Sequence, residues 1–400
     1  MKVANRLEGI NEYYFSQKLR EIEELNNTGT TVLNLGIGSP DTAPHEDVIA
    51  VLNEESKKPD ANSYQTYKGV KALRIAIADW YQQWYSVKID PAKEVLPLVG
   101  SKEGIMHISM TYLNTGDIVL VPNPGYPTYK SAAAIAGARV IEYNLLEENN
   151  WFPDFEKIEA QINEAEHLSN KSQLSNRGNK KQILMWVNYP HMPTGQLPTD
   201  EMFTSLIAFA KKHHILLCHD NPYSFILNDK PMSLLAFDKK KEVVIELNSL
   251  SKSHNMAGWR IGMLCGAEKR IEEVLRFKSN MDSGMFLPLQ LAAAKALTLD
   301  KQWFQRLNSL YRERRAIVYQ LLDLLKCTYS KDQAGLFIWA KIPAPYENSF
   351  DLSNEILHKA RVFITPGGIF GSEGNQYLRV SLCSSAEKFN EAITRLKAIH

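Results

Sequence analysis

In Ser249-Leu-Ser-Lys252-Ser-His-Asn-Met-Ala-Gly258-Trp-Arg260-Ile-Gly262, one lysine stands among small and hydroxyl residues with an arginine eight positions on. A lysine ε-amine forms an imine with an aldehyde, and Ser249, Ser251 and Arg260 can take phosphate oxygens. Taken alone, such a lysine is usually a solvated loop residue. Other reactive residues recur at the ends of strand-like runs. Asp220 closes Ile-Leu-Leu-Cys-His-Asp, and Tyr223 follows three residues later. Ser101-Lys102-Glu103 lies between a strand-like and a helix-like run, where free N–H groups and the helix dipole favour an anion. Tyr126 stands in the turn Asn123-Pro-Gly-Tyr-Pro-Thr. Together these residues meet the needs of pyridoxal 5′-phosphate. Asp220 can keep the pyridine nitrogen protonated, so that the ring draws electrons. Tyr126 can stack on the ring and Tyr223 can hydrogen-bond its hydroxyl. Each residue also has a plainer reading, such as a helix cap for Asp220 or Ser101. Their appearance in order at strand ends favours the cofactor.

The elements that must position them alternate along the chain. The runs Glu94–Val99, Asp117–Val121, Arg139–Tyr143, Gln182–Asn188, Ile215–Asp220, Val243–Leu247 and Ile261–Cys265 are short, apolar and bounded by turn residues, which suits strands covered on both faces. Helical patterns lie between them. Val70, Leu73, Ile77, Trp80 and Trp84 form one apolar stripe, and Ile105, Ile108 and Tyr112 another behind Ser101, read as an N-cap. Ligands in open α/β sheets sit at the carboxyl ends of strands, where these candidates fall. From about residue 290, long helical runs precede two further strands, Leu336–Lys341 and Tyr377–Ser381. The expected fold is α/β: a large domain with a mostly parallel seven-stranded sheet covered by helices, plus a smaller α+β domain. The N-terminal segment and the C-terminal third build the smaller domain, giving an arm at 1–40, a large domain at 41–288 and a small domain at 289–400. Residues 167–181 are polar and aperiodic and read as an exposed, mobile loop.

Composition narrows the function classes. A net charge of +1 gives bulk electrostatics no preference for nucleic acid or membrane. No apolar run approaches the ~20 residues of a membrane span, and the charged N-terminus does not read as a signal peptide. The four cysteines, Cys218, Cys265, Cys327 and Cys383, have no metal-ligand spacing and read as reduced thiols of a cytoplasmic protein. No metal is expected. There is no internal repeat and no DNA-binding extension before the α/β region.

Ser249-x-Ser-Lys252 followed by Gly258-Trp-Arg260-Ile-Gly262 resembles the cofactor-lysine signature of the class I aminotransferases of pyridoxal-phosphate fold type I, over nearly the whole chain. The resemblance implies that Lys252 carries the cofactor covalently and then moves a proton between substrate and cofactor. It implies that Arg379, in Tyr377-Leu-Arg-Val-Ser, grips the substrate α-carboxylate, a task suited to a planar guanidinium. Gly38, in Leu35-Gly-Ile-Gly-Ser-Pro-Asp, resembles a glycine whose backbone approaches the same carboxylate. Tyr64 resembles a tyrosine given to the neighbouring subunit's phosphate, implying a homodimer with shared active sites. One position departs from the family. Its Asn-Pro-Thr-Gly becomes Met192-Pro-Thr-Gly195, and a thioether cannot replace the amide that touches the ring hydroxyl. Either His191 or Asn188 supplies that contact, or it is lost.

Glu94-Val-Leu-Pro-Leu-Val-Gly-Ser-Lys-Glu-Gly-Ile, Val121-Pro-Asn-Pro-Gly-Tyr-Pro-Thr-Tyr and Lys278-Ser-Asn-Met-Asp-Ser-Gly-Met-Phe resemble the LL-diaminopimelate aminotransferase branch. That branch implies an amino acid and a 2-oxo acid as substrates, with glutamate and 2-oxoglutarate as one pair. Aspartate, methionine and aromatic amino acids stay open. The same likeness implies that Asn280 reaches across the dimer and that Tyr13 or Tyr14 lines the pocket from the partner. Two alternatives share Lys252, Asp220 and Arg379: a β-eliminating C–S lyase, and a sensor domain that binds the cofactor without turnover.

Overall fold

The computed structural model describes residues 1–399 apart from 11, 13, 30 and 172–180. Its strands are β1 (Leu33–Asn34), β2 (Val95–Leu98), β3 (Ile118–Asn123), β4 (Arg139–Asn144), β5 (Ile183–Val187) and β6 (Ile215–Asp220). They continue as β7 (Val244–Ser249), β8 (Gly262–Cys265), β9 (Phe337–Lys341), β10 (Val362–Phe363), β11 (Thr365–Pro366) and β12 (Tyr377–Ser381). Seven of them form one sheet in the order β2-β8-β7-β6-β5-β3-β4, parallel except for β8.

Side chains on the sheet alternate between two buried faces. Val119, Val121, Leu184, Trp186, Ile245 and Leu247 pack to one side. Ile118, Leu120, Ile183, Met185, Leu217 and Val244 pack to the other. Burial on both faces is why the strands read as continuous apolar runs. Helix Lys71–Tyr85 lays Leu73, Ile77 and Trp80 into the second face, as its stripe requires.

Because β8 runs against its neighbours, its amino end lies beside the carboxyl ends of β2 and β7; Gly262 pairs with both Leu98 and Ser249. That one reversal brings Arg260 to the same sheet edge as Ser101 and Lys252.

The C-terminal region forms a second, three-stranded antiparallel sheet, β11-β12-β9, flanked by helices Lys301–Leu324 and Ser349–Ala360. The N-terminal segment joins it through β1, which pairs in parallel with β10. The chain therefore has the expected two-domain α/β organisation. The short strands β1, β10 and β11 were not anticipated, since two residues carry no period. Residues 167–171 differ from expectation: they complete the helix Phe155–Lys171, whose polar tail needs no apolar stripe once the preceding turns have packed. The remainder of that expected loop, 172–180, lies outside the described residues.

Candidate active site

One cavity of about 360 Å³ gathers most of the residues singled out in the sequence: Gly38, Ser101, Lys102, Tyr126, Asn188, Asp220, Tyr223, Ser249, Ser251, Lys252, Arg260 and Arg379. Its floor is the sheet edge described above. Lys252 sits on the single helical turn Leu250–Ser253 that follows β7. Its Nζ donates to the carbonyl of Gly38. Burial holds the Lys252 ammonium below its usual range, with Arg379 and Arg260 pushing the same way against Cys383.

Asp220 ends β6 and is 5% exposed. Its Oδ2 accepts from the Tyr129 hydroxyl at 2.8 Å, while Oδ1 is buried without a hydrogen-bond partner. Burial lifts its carboxyl to about 6, opposed by the Tyr129 hydrogen bond and the charge of His219. Tyr129 itself is stacked on Trp186 at 4.9 Å and meets Tyr126 edge-on at 5.5 Å.

The anion-binding end is built from close backbone approaches. Gly100, at φ 85°, precedes helix Ser101–Tyr112, and a Cβ there would collide with the Arg260 guanidinium. A Cβ on Gly262 would come within 2.6 Å of Ser101 N. Arg260 lies in the left-handed region at φ 56°, a strained setting that points it beneath the helix start. Ser101 is the first residue of that helix and not its N-cap; Gly100 takes the cap because only glycine fits under Arg260.

Arg379 lies on β12, the middle strand of the small sheet, and is 5% exposed. Its Nη2 donates to Gly36 O at 2.9 Å and Nη1 meets Met192 Sδ at 3.3 Å. Phe337 and Phe370 lie 3.9 and 4.6 Å from its guanidinium carbon. Glycine is required at 38 because a Cβ would enter the Phe337 ring.

Several expected residues stand elsewhere. The Glu103 carboxylate turns back to accept from Val99 N at 2.7 Å and to meet His107, so it does not line the cavity. His191 bonds Thr194 Oγ1 at 2.8 Å away from the cavity, and burial holds its imidazole down to about 3. It cannot replace the missing asparagine. Asn188 does line the cavity, but its amide is committed to Asp220 O and Met192 N. Within its own protomer Tyr14 packs edge-on against Phe350 at 6.2 Å, while its neighbour Phe15 lines this cavity. Tyr13 lies outside the described residues. Tyr64 is 91% exposed and Asn280 caps back onto Arg276 O at 2.8 Å; neither lines this protomer's cavity.

Sequence reasoning missed Tyr129, Ile37, Phe337 and Phe370, which also line the cavity. Tyr129 follows Tyr126 by three residues in a short helix, a spacing that offered a signal. The phenylalanines offered none, because apolar residues on a strand or turn read as core.

The residues fit pyridoxal phosphate. A buried carboxylate with one oxygen lacking a partner suits a protonated ring nitrogen, and Ser101, Ser249, Ser251 and Arg260 suit a phosphate.

Comparisons with known proteins agree. The family model for aminotransferase class I and II matches residues 30–396. LL-diaminopimelate aminotransferase of Halothermothrix orenii is 38% identical, the match covering 99% of this chain and 98% of that protein. The enzyme of that name from Aquifex aeolicus is 34% identical, with 98% of each covered. Among solved structures, substrate-bound BacF from Bacillus subtilis superposes with a TM-score of 0.90 at 36% identity, covering 100% of this chain and 98% of that one. Among the described residues, no helix is long and apolar enough to cross a membrane. The chain belongs to the class I and II aminotransferase family and is a pyridoxal-phosphate-dependent aminotransferase.

Proposed function

We propose that the chain moves an amino group between an L-α-amino acid and a 2-oxo acid in two half-reactions, with glutamate and 2-oxoglutarate as one pair. LL-diaminopimelate is the leading partner of that pair, supported by the names of the relatives and by the motifs they share with this chain. The observation that carries the reading is the placement of the Lys252 amine, the Asp220 carboxylate and the Arg379 guanidinium on one cavity.

When bound, pyridoxal phosphate supplies the aldehyde that takes the amino group and the ring that draws electrons from the substrate Cα. Lys252 would hold that aldehyde. Burial and the nearby guanidinium groups depress its basicity, which favours Nζ as the group that would take up the proton leaving the substrate Cα. Asp220 would hold the ring nitrogen's proton, Tyr223 the ring hydroxyl and Tyr126 the ring face. Lys102, Ser249, Ser251, Arg260 and the amide groups of the helix that starts at Ser101 would bind the phosphate. Arg379 and the Gly38 backbone would orient the α-carboxylate, with Phe337 and Phe370 excluding water from that contact.

We assign residues 1–40 and 289–400 to the small domain and 41–288 to the cofactor domain. The β1–β10 pairing and the bond from Ser381 N to Leu35 O, 2.8 Å, support joining the N-terminal arm to the C-terminal region. The active unit we propose is a homodimer, with the exposed Tyr64 reaching the partner's phosphate site. Four free, buried cysteines fit a cytoplasmic setting.

The test is a half-reaction with the loaded protein. L-glutamate is expected to remove the absorbance of the lysine-bound cofactor and to yield one 2-oxoglutarate per site. No spectral change with glutamate or with any donor in a screen that includes LL-diaminopimelate would refute the reading. Ammonia or thiol release in place of the oxo acid would favour the lyase.

A further inference from the structure

His219 and Glu246 touch neither the cavity nor solvent, yet they lie directly behind Asp220. Adjacent strands β6 and β7 set them opposite each other in register, and both are fully buried. His219 Nδ1 lies 2.8 Å from Glu246 Oε2. Its Nε2 lies 3.0 Å from the carbonyl of Tyr189.

A carbonyl only accepts, so Nε2 carries a hydrogen. Glu246 is surrounded by donors. Oε1 receives the Tyr81 hydroxyl at 2.9 Å and the Asn221 amide at 3.4 Å. Oε2 receives the Ser233 hydroxyl at 2.7 Å and Leu234 N at 3.1 Å. Ser233 Oγ accepts from Leu235 N, so its own proton is available to the carboxylate. Leu234 N also reaches toward His219 Nδ1, at 3.5 Å, but lies nearer to Glu246 Oε2. Four donors on two oxygens are the surroundings of an ionised carboxylate, toward which Nδ1 would donate as well.

We propose that His219 is a positioning residue: a buried imidazolium, counterbalanced by Glu246, that keeps Asp220 ionised to hold a proton on the cofactor's ring nitrogen. This rests on the role given to Asp220 above. The adjacent positive charge opposes the lift that burial gives the Asp220 carboxyl, and it outweighs the opposite influence of Glu246. The other titratable groups facing these three are Tyr81 and Tyr85 from helix Lys71–Tyr85, Cys265 from β8, Cys218 from β6 and Tyr129 from helix Pro127–Ile135. Burial raises every one of them, so none brings a charge near neutral pH. The imidazolium also anchors Tyr189, next to Asn188, whose amide donates to the Asp220 carbonyl.

Two experiments test this. Neutron diffraction from deuterium-exchanged crystals of the cofactor-loaded protein at pD 8 is expected to show deuterium on both Nδ1 and Nε2 of His219. A bare nitrogen at either position would overturn the proposal, whatever the variants do. The second uses the double variant His219→Gln/Glu246→Gln, which removes both charges and keeps polar groups in place. The acid limb of its kcat/KM profile, and of cofactor retention on dialysis, should move up by about one pH unit. That is about a tenfold loss at pH 6, with a far smaller loss at pH 9. An unmoved acid limb, or an equal loss at every pH, would mean a packing role only. Asp220→Asn serves as the reference: if it keeps full activity, the assignment of Asp220 fails and not the state of His219.

Discussion

The thioether of Met192 lies 3.3 Å from Nη1 of Arg379, at the position where the family signature has an asparagine. Sulfur is a weak acceptor, so Arg379 is held on that side by contact more than by a hydrogen bond. Neither His191 nor Asn188 makes up the difference: the His191 ring lies off the cavity with Nδ1 on Thr194, and the Asn188 amide is engaged with Asp220 O and Met192 N.

Met192→Asn should therefore improve the enzyme. Restoring one amide beside a charged donor is expected to raise kcat/KM roughly three- to tenfold, about 1 kcal/mol. Titration of the lysine-bound cofactor's absorbance should also shift its midpoint. A loss of kcat/KM would mean that the methionine has been fitted to a substrate side chain.

Lys252→Ala should remove the absorbance of the lysine-bound cofactor and lower turnover by at least about a thousandfold, the scale of a lost proton-transfer group. A spectrum that survives the substitution would place covalent attachment elsewhere.

Arg379→Lys is expected to lower kcat/KM for every amino donor by about a hundredfold and to leave the cofactor spectrum unchanged. An ammonium can neither reproduce a bidentate grip nor lie flat against Phe337 and Phe370. Steady-state kinetics with two donors of different side chain would check that the loss is common to both.

The cofactor-free protein should be stabilised by Asp220→Asn at alkaline pH. The folded carboxyl sits at about 6, above its ordinary value of 3.8. A raised value favours the protonated form in the fold, so the stability it confers is complete below pH ~4 and is lost as pH rises through about 6. Urea unfolding at pH 8 should show the variant about 2–3 kcal/mol more stable, with the difference roughly halved at pH 5 and small by about pH 4. A variant equally or less stable at pH 8 would mean that the cofactor-free fold holds Asp220 ionised without penalty. The same substitution should abolish transamination, so the group most needed for chemistry is one that the empty fold tolerates poorly.

Tyr64→Ala should weaken cofactor binding about tenfold, the worth of one charge-assisted hydrogen bond. Mixed with Lys252→Ala, it should regain activity, because the hybrid dimer contains one site with both residues intact. If mixing restores nothing, Tyr64 does not act across subunits.

The type and spacing of Lys252, Asp220, Tyr126 and Arg260 pointed to the cofactor, and the resemblance of the motifs around Lys252 and Arg379 to the aminotransferases implied the reaction. Covalent attachment, ring protonation and carboxylate binding each demand one kind of side chain at one kind of strand end. The alternation of buried runs likewise determined the seven-stranded sheet, because a strand covered on both faces has little freedom in composition. Local pattern could not reveal which residues meet from distant parts of the chain. The reversal of β8 brings Arg260 under Gly100, and the pairing of β6 with β7 brings Glu246 to His219. The small sheet aims Arg379 at Met192, 187 residues away in sequence. Glu103 and Ser101 show the same limit from the other side. Their places in the sequence suit an anion site, but the Glu103 carboxylate turns back to Val99 N and His107, and the cap falls on Gly100, packed against Arg260. Those outcomes depend on three-dimensional packing, and only the tertiary structure could decide them.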